Sequence, residues 1–160
     1  MLRLSKKVEY ALLSLQHLSG LRGEGIATAR EMADRYHIPP EILGKVLQAL
    51  TRRDIVESVQ GAKGGYRLRR LLPLTTLGEV IEAVDGPVHV VPCTGDHYNC
   101  DQEASCTIKR PIIRLQQQLH QFVFSLPLDT LCQPDPTDRV TRFSLADVTG
   151  KDAHVHLEEV

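Results

Sequence analysis

Apolar residues recur at three- and four-residue spacing from the beginning of the chain. Val8, Ala11, Leu12, Leu15 and Leu18 predict an amphipathic helix that Gly20 stops. A loop with Gly23 and Gly25 follows. Thr28 and Glu31 then have the spacing of a capping box, which opens a second helix running through Met32 and Ala33 to about Tyr36. His37-Ile38-Pro39 predicts a turn. Pro40 suits the first turn of a third helix, whose apolar face is read as Ile42, Leu43, Val46, Leu47 and Leu50. Glu41, Gly44, Lys45, Gln48 and Arg52 then point elsewhere. Ile55–Val59 and Tyr66–Leu68, joined by the glycine-rich stretch Gly61–Gly65, predict a β-hairpin. Three helices followed by a basic hairpin is the order of a winged helix-turn-helix.

Beyond the hairpin, Thr76 and Glu79 form a second capping-box pair before Leu77, Val80, Ile81 and Val84, and Gly86 stands at the C-cap. Periodicity disappears from Pro87 to Cys106. It returns as Ile108, Ile112, Leu115, Leu119, Phe122 and Leu126, a heptad seam between Pro111 in the first turns and the stop at Pro127. The stripe is narrow and flanked by Arg114, Gln116, Gln117, Gln118 and Gln121. That favours a dimerisation helix over a helix packed in its own core. From Gln133 onward the chain is rich in Pro and Asp with weak pattern, and a partly mobile tail is expected. The expected fold is mainly α, with a winged helix-turn-helix DNA-binding domain at 1–86. A cysteine-bearing sensor loop at 87–106, a dimerisation helix at 107–131 and a tail at 132–160 complete it.

Composition narrows the possibilities. The chain has 160 residues, 42% hydrophobic and 24% charged, which suits one globular domain. No apolar run approaches the roughly 18–20 residues of a membrane span. The polar N-terminus does not read as a signal peptide, so a reducing cytoplasm is expected. There, four cysteines suit reactive or metal-bound roles better than structural disulfides. With no Trp and 4% aromatics, surfaces that stack sugars or single-stranded bases are disfavoured. The net charge of −1 conceals +3 over residues 1–92 and −4 over 93–160. Seven basic residues between Lys45 and Arg70 face only Asp54 and Glu57, a local excess that attracts a polyanion if it is not simply a solvated face.

In a helix-turn-helix the second helix of the unit enters the major groove, and its outward N-terminal residues reach base edges. Those residues are Glu41, Gly44, Lys45 and Gln48, with Arg52 placed for a phosphate. Lys63 and Arg67 of the hairpin would follow the DNA backbone or minor groove, where Gly64 and its neighbours let main-chain amides approach phosphate. Cys93, Cys100 and Cys106 are separated by six and then five residues. Structural zinc sites use tighter C-x₂₋₄-C pairs, whereas an iron–sulfur cluster tolerates a looser loop. Zinc, a thiol switch and inert cysteines remain alternatives. Asp96, His97, Cys132 and Glu9 of another subunit are candidate fourth ligands. No Ser–His–Asp, paired-carboxylate or phosphate-loop pattern supports catalysis.

Arg3-Leu4-Ser5 with Tyr10-Ala11-Leu12, the hairpin Gly61-x-x-Gly64-Gly65-Tyr66-x-Leu68, and Leu77-x-x-Val80-x-x-Ala83-Val84-x-Gly86-Pro87 carry a resemblance. From Leu2 to about Leu131 the chain resembles the Rrf-type winged-helix transcription regulators, the group containing IscR, NsrR and CymR. The resemblance implies a homodimer that binds a roughly palindromic double-stranded DNA operator, with two half-sites about one helical turn apart; with no apolar run long enough to span a membrane, no membrane partner is expected. It implies a 2Fe–2S or 4Fe–4S cluster held by Cys93, Cys100 and Cys106. IscR-like members have a histidine three residues after the last cysteine, where this chain has Lys109. NsrR-like members use an acidic residue in the first helix of the partner, a place matched by Glu9. Gln60 stands where IscR has a wing arginine and Gly44 where it has a polar reader, so the operator of IscR is not expected to carry over; with Gln60 added, the expected DNA-facing set is Glu41, Lys45, Gln48, Arg52, Gln60, Lys63, Gly64 and Arg67. A cluster-free regulator responding to thiol state or a small metabolite is the alternative.

Overall fold

The computed structural model describes residues 3–21, 25–61, 63–94 and 100–132. Helix α1 (Lys6–Gly20) begins at Ser5, whose hydroxyl accepts the Val8 amide at 3.3 Å. Its inward face buries Val8, Ala11, Leu15 and Leu18, and the buried Ser14 hydroxyl is satisfied by the Tyr10 carbonyl at 2.8 Å. Helix α2 (Ala29–Tyr36) starts where Thr28 accepts the Glu31 amide at 3.1 Å. His37 follows in the left-handed region (φ 53°) and turns the chain into α3 (Pro40–Arg52). Leu43, Val46, Leu47 and Leu50 of α3 are at most 1% exposed and join α1 in one core. Each such burial stabilises by about 1.5–3 kcal/mol. Ile42 departs from the expected apolar face: it is 39% exposed, because its direction around α3 falls beside the core stripe.

Strands β1 (Val56–Val59) and β2 (Gly65–Leu68) pair antiparallel, with Glu57 opposite Arg67 and Val59 opposite Gly65. The turn between them uses Gly61 at φ 115°, a conformation that L side chains rarely adopt. Beyond the hairpin, Tyr66 exchanges two main-chain bonds with Ala27, of 2.8 and 3.1 Å. A Cβ on Gly65 would stand 2.5 Å from the Ala27 carbonyl oxygen, so only glycine permits this close approach. The wing is thereby pinned to the connection between α1 and α2.

Helix α4 (Leu77–Asp85) carries a complete capping box: Thr76 accepts the Glu79 amide, and the Glu79 carboxylate accepts the Thr76 amide at 2.8 Å. Helix α5 (Lys109–Ser125) packs against α4, where Gly78 lies directly under the Phe124 ring. The chain then returns to α1 and the segment before α4. Leu77 donates to the Leu126 carbonyl and Leu128 to the Thr75 carbonyl, both at 2.9 Å, and the short α6 (Asp129–Cys132) settles on α1. This return divides the predicted heptad seam. Leu126 is 6% exposed and belongs to the core, whereas Ile108 and Leu115 are 62% and 47% exposed. The physical cause is the stripe's widening at its C-terminal end, where Val123 and Leu126 are buried together. Among the described residues no helix is long and apolar enough to cross a membrane. The tail from Gln133, and Asp96 and His97, lie outside the described residues.

Candidate nucleic-acid interface and thiol site

The outward face of α3 presents Glu41, Lys45, Gln48 and Arg52, all exposed, with Gly44 between them. Pro40 at the first turn presets the backbone for this helix, and the buried leucines opposite hold the face outward. Between α3 and the N-terminal half of α1 runs a cleft of about 680 Å³, lined among others by Lys6, Lys7, Tyr10, Lys45 and Arg52. The two α1 lysines were not in the sequence-derived set. They precede the start of α3 at Pro40 by more than thirty residues, and only the α1–α3 packing brings them alongside it. Lys7 also holds the C-terminal end of α4, reaching Asp85 at 3.4 Å and the Val84 carbonyl at 3.5 Å. A cation there complements the helix dipole.

On the wing, Gln60 and Lys63 are exposed at the turn. The Gly64 amide is bonded to the Gly61 carbonyl at 2.9 Å, and a side chain at Gly64 would collide with the Val59 carbonyl. Gly64 therefore builds the turn. Arg67 is ion-paired with its cross-strand neighbour Glu57 at 2.5 Å, and Arg69 with Asp54 at 3.0 Å. Arg70 pairs with Glu79 at 2.8 Å, tying the base of the wing to α4. Three of the seven basic residues between Lys45 and Arg70 are thus paired at short range, two of them with the acids of the same stretch. Lys45, Arg52, Arg53 and Lys63 carry the exposed remainder; the α1 lysines beside α3 are themselves paired, Lys6 with Glu9 and Lys7 with Asp85.

The cysteines follow the C-terminal end of α4. Cys93 lies in a 3₁₀ turn, Pro92–Thr94, packed on α5. A second turn, Glu103–Ser105, links Cys100 and Cys106: the Glu103 amide bonds the Cys100 carbonyl at 3.0 Å, and the Cys106 amide bonds the Glu103 carbonyl at 3.4 Å. All three thiols are free and half-buried. Lys109, at the start of α5, is held above the usual lysine pKa first by its bond to Glu103, with Cys93 and Cys106 within electrostatic reach adding to the effect. Among the described residues no three His, Cys, Asp or Glu side chains converge on one point. The donor chemistry is of the kind that holds an iron–sulfur cluster: three free, half-buried thiols, of which Cys93 and Cys106 share the neighbourhood of Lys109 at the start of α5.

Glu9 lies on α1 away from these thiols, bonded to Lys6 at 2.5 Å and bordering a groove with Leu12, Leu13 and Cys132. Cys132 does not join the loop. It is 3% exposed, with its sulfur 3.9 Å from the Leu12 carbonyl, and burial first, then Asp129, pushes its thiol up to about 11. Native protein is therefore expected to leave Cys132 unalkylated at pH 8, while Cys93, Cys100 and Cys106 react, and mass spectrometry of the labelled chain checks this. A contact absent from the sequence reading ties loop to helix. Gln116 of α5 accepts the Val90 amide at 2.7 Å and donates to the Val88 carbonyl, copying a strand's main-chain pairing.

Three packed helices, a hairpin wing and an outward-facing third helix define a winged helix-turn-helix DNA-binding protein. A family model described as Rrf2, iron-dependent transcriptional regulator, matches residues 4–134. The chain belongs to the Rrf2 family of transcription regulators and is not an enzyme. The transcriptional repressor NsrR of Streptomyces coelicolor is 28% identical over 131 residues, covering 81% of this chain and 88% of that protein. CymR, described as the global cysteine regulator of B. subtilis, is 26% identical with a TM-score of 0.64, over 82% of this chain and 97% of that one. IscR of T. potens shares the fold with a TM-score of 0.61 at 22% identity, over 81% and 85% of the two chains.

Proposed function

We propose that two copies of the chain pair through α5 and bind a double-stranded DNA operator, with an affinity set by an iron–sulfur cluster. Cys93, Cys100 and Cys106 would hold the cluster, of 2Fe–2S or 4Fe–4S type, and Glu9 of the partner subunit would supply the fourth ligand. Bound there, the cluster supplies sensitivity to redox change, nitric oxide or iron loss. On each reading head Glu41, Lys45 and Gln48 face base edges and Arg52 a phosphate. Gln60, Lys63, Gly64 and Arg67 form the wing's DNA side, Gly64 through the turn it builds and Arg67 through its outer edge. The observation that supports this reading is that Cys93, in the turn packed on α5, and Cys106, just before that helix, both lie within electrostatic reach of Lys109, beside the exposed apolar residues Ile108, Ile113 and Leu115. A change at the thiols thus meets the surface on which a second copy would sit. The switch needs only modest energy, since a tenfold change in operator affinity corresponds to about 1.4 kcal/mol.

Anaerobically purified protein is expected to be coloured, with iron and acid-labile sulfide in proportion to chain. Colourless protein lacking both overturns the cluster reading. Glu9→Ala is expected to shorten the cluster's lifetime, and an unchanged spectrum and lifetime would remove Glu9 from the ligand set. Operator binding should weaken steeply with added salt, as phosphate contacts require. The likeness to CymR favours one second reading, a metal-free regulator responding to thiol state or a small metabolite. Metal-free protein that still binds DNA and shows reversible cysteine oxidation selects it.

A further inference from the structure

Two residues of α3 lie between its core stripe and its charged outward face. Ile42, in the first turn, stands beside the core stripe of Leu43 and Val46 and is 39% exposed. It borders the cleft that also contains Lys45, Gln48 and Arg52. Gly44 sits one step further, inside the helix, where glycine is less stable than alanine. A Cβ added to Gly44 meets nothing within 4 Å, so packing within the protomer does not call for glycine. A bare spot and an exposed branched apolar side chain thus flank the charged centre of the helix.

Of the four bases, thymine alone offers a methyl group in the major groove, and apolar side chains recognise it by contact. An isoleucine has no donor for a phosphate and none for a base edge; a methyl group is the complementary partner. Residues in the first turns of a recognition helix are those that reach the bases. We propose that Ile42 is a specificity-determining residue that packs on the C5-methyl of a thymine in each operator half-site. Gly44 lets the helix backbone approach the groove floor closely enough for that contact. The proposal rests on the DNA-binding reading above but is independent of the cluster.

The test uses the full-length protein and a duplex that it selects from a random-sequence DNA library. Each dT of a half-site is then replaced singly by deoxyuridine, which deletes only the methyl. Binding by the unaltered protein is expected to weaken about four-fold at one dT per half-site, the worth of one buried methyl group. Ile42→Ala is expected to lose this discrimination at a melting temperature close to that of the parent, and Ile42→Val to keep it. Gly44→Ala is expected to weaken binding to all duplexes without lowering the melting temperature. Indifference to every deoxyuridine, or a penalty that persists undiminished in Ile42→Ala, overturns the proposal. A protein that selects no duplex overturns the DNA-binding reading itself, whereas one that selects a duplex and ignores its thymine methyls overturns this inference alone.

Discussion

Gly78→Val is expected to lower the unfolding free energy by about 3 kcal/mol, and Gly78→Ala by about 1–2 kcal/mol, measured by urea denaturation. The cause is steric. A Cβ on Gly78 would lie inside contact distance of three carbons of the Phe124 ring. The ring is also stacked on His120 at a centroid distance of 4.2 Å, a contact that its retreat would disturb. Relief requires α5 to move away from α4, and α5 is anchored just beyond by the Leu77–Leu126 and Leu128–Thr75 main-chain bonds. The loss should therefore shrink when the ring is trimmed, so that Gly78→Ala combined with Phe124→Leu is less destabilised than the sum of the two single changes. Strict additivity would mean that Gly78 and Phe124 do not press on each other.

Glu79→Gln carries the second large effect, a loss of about 1–2 kcal/mol at pH 7, concentrated at the base of the wing. The Glu79 carboxylate accepts from the Thr76 amide at 2.8 Å, the Thr76 hydroxyl at 3.2 Å and Arg70 at 2.8 Å. Burial acts to raise its pKa, but these three donors together outweigh burial and hold the group below the ordinary glutamate value of 4.5. A carboxyl with a depressed folded-state pKa contributes stability that is complete above its unfolded pKa and is lost as pH falls through the folded one. Parent protein should lose this contribution on acidification below about pH 4.5, whereas the Glu79→Gln variant, lacking the charge, should have a shallower acid limb. About a third of each side chain of the Arg70–Glu79 pair is exposed, and solvent screening keeps the ion pair's share small. Equal acid limbs in the two proteins would show that the carboxylate's partners contribute nothing.

Periodicity and punctuation made most of the architecture readable. Helix α1, the Thr28 cap, the turn at His37, the hairpin and the Thr76–Glu79 capping box all follow from spacings within about four residues, the range over which local rules act. Spacing misleads where direction in space decides. Ile42 has the residue type and nearly the position of a core residue, yet the α3 stripe centres on Leu43, Leu47 and Leu50, and Ile42 falls outside it. Leu126 continues the heptad, but the return of residues 126–132 to Thr75 and α1 captures it. That return is a handful of residues long and has no period to detect.

The candidate sites divide in the same way. The spacing of the three cysteines and the outward residues of α3 were legible because both are properties of single segments. Lys6 and Lys7 beside α3, the pairing of Arg67 with Glu57, and the removal of Cys132 from the ligand candidates all depend on contacts between segments. Charge counting alone treats Arg67 and Lys63 alike; the strand register separates them, since it sets Arg67 opposite an acid.

The bond pair made by Gln116 has a mechanical consequence. Residues 88 and 90 are stitched to α5 at one point, two residues before the turn that carries Cys93. The peptide leading into the first thiol and the long rod beneath it are therefore geared together, and slipping one past the other would forfeit both bonds, about 1–3 kcal/mol in all. Any torque exerted on that peptide is delivered to the rod as a whole, without play in between.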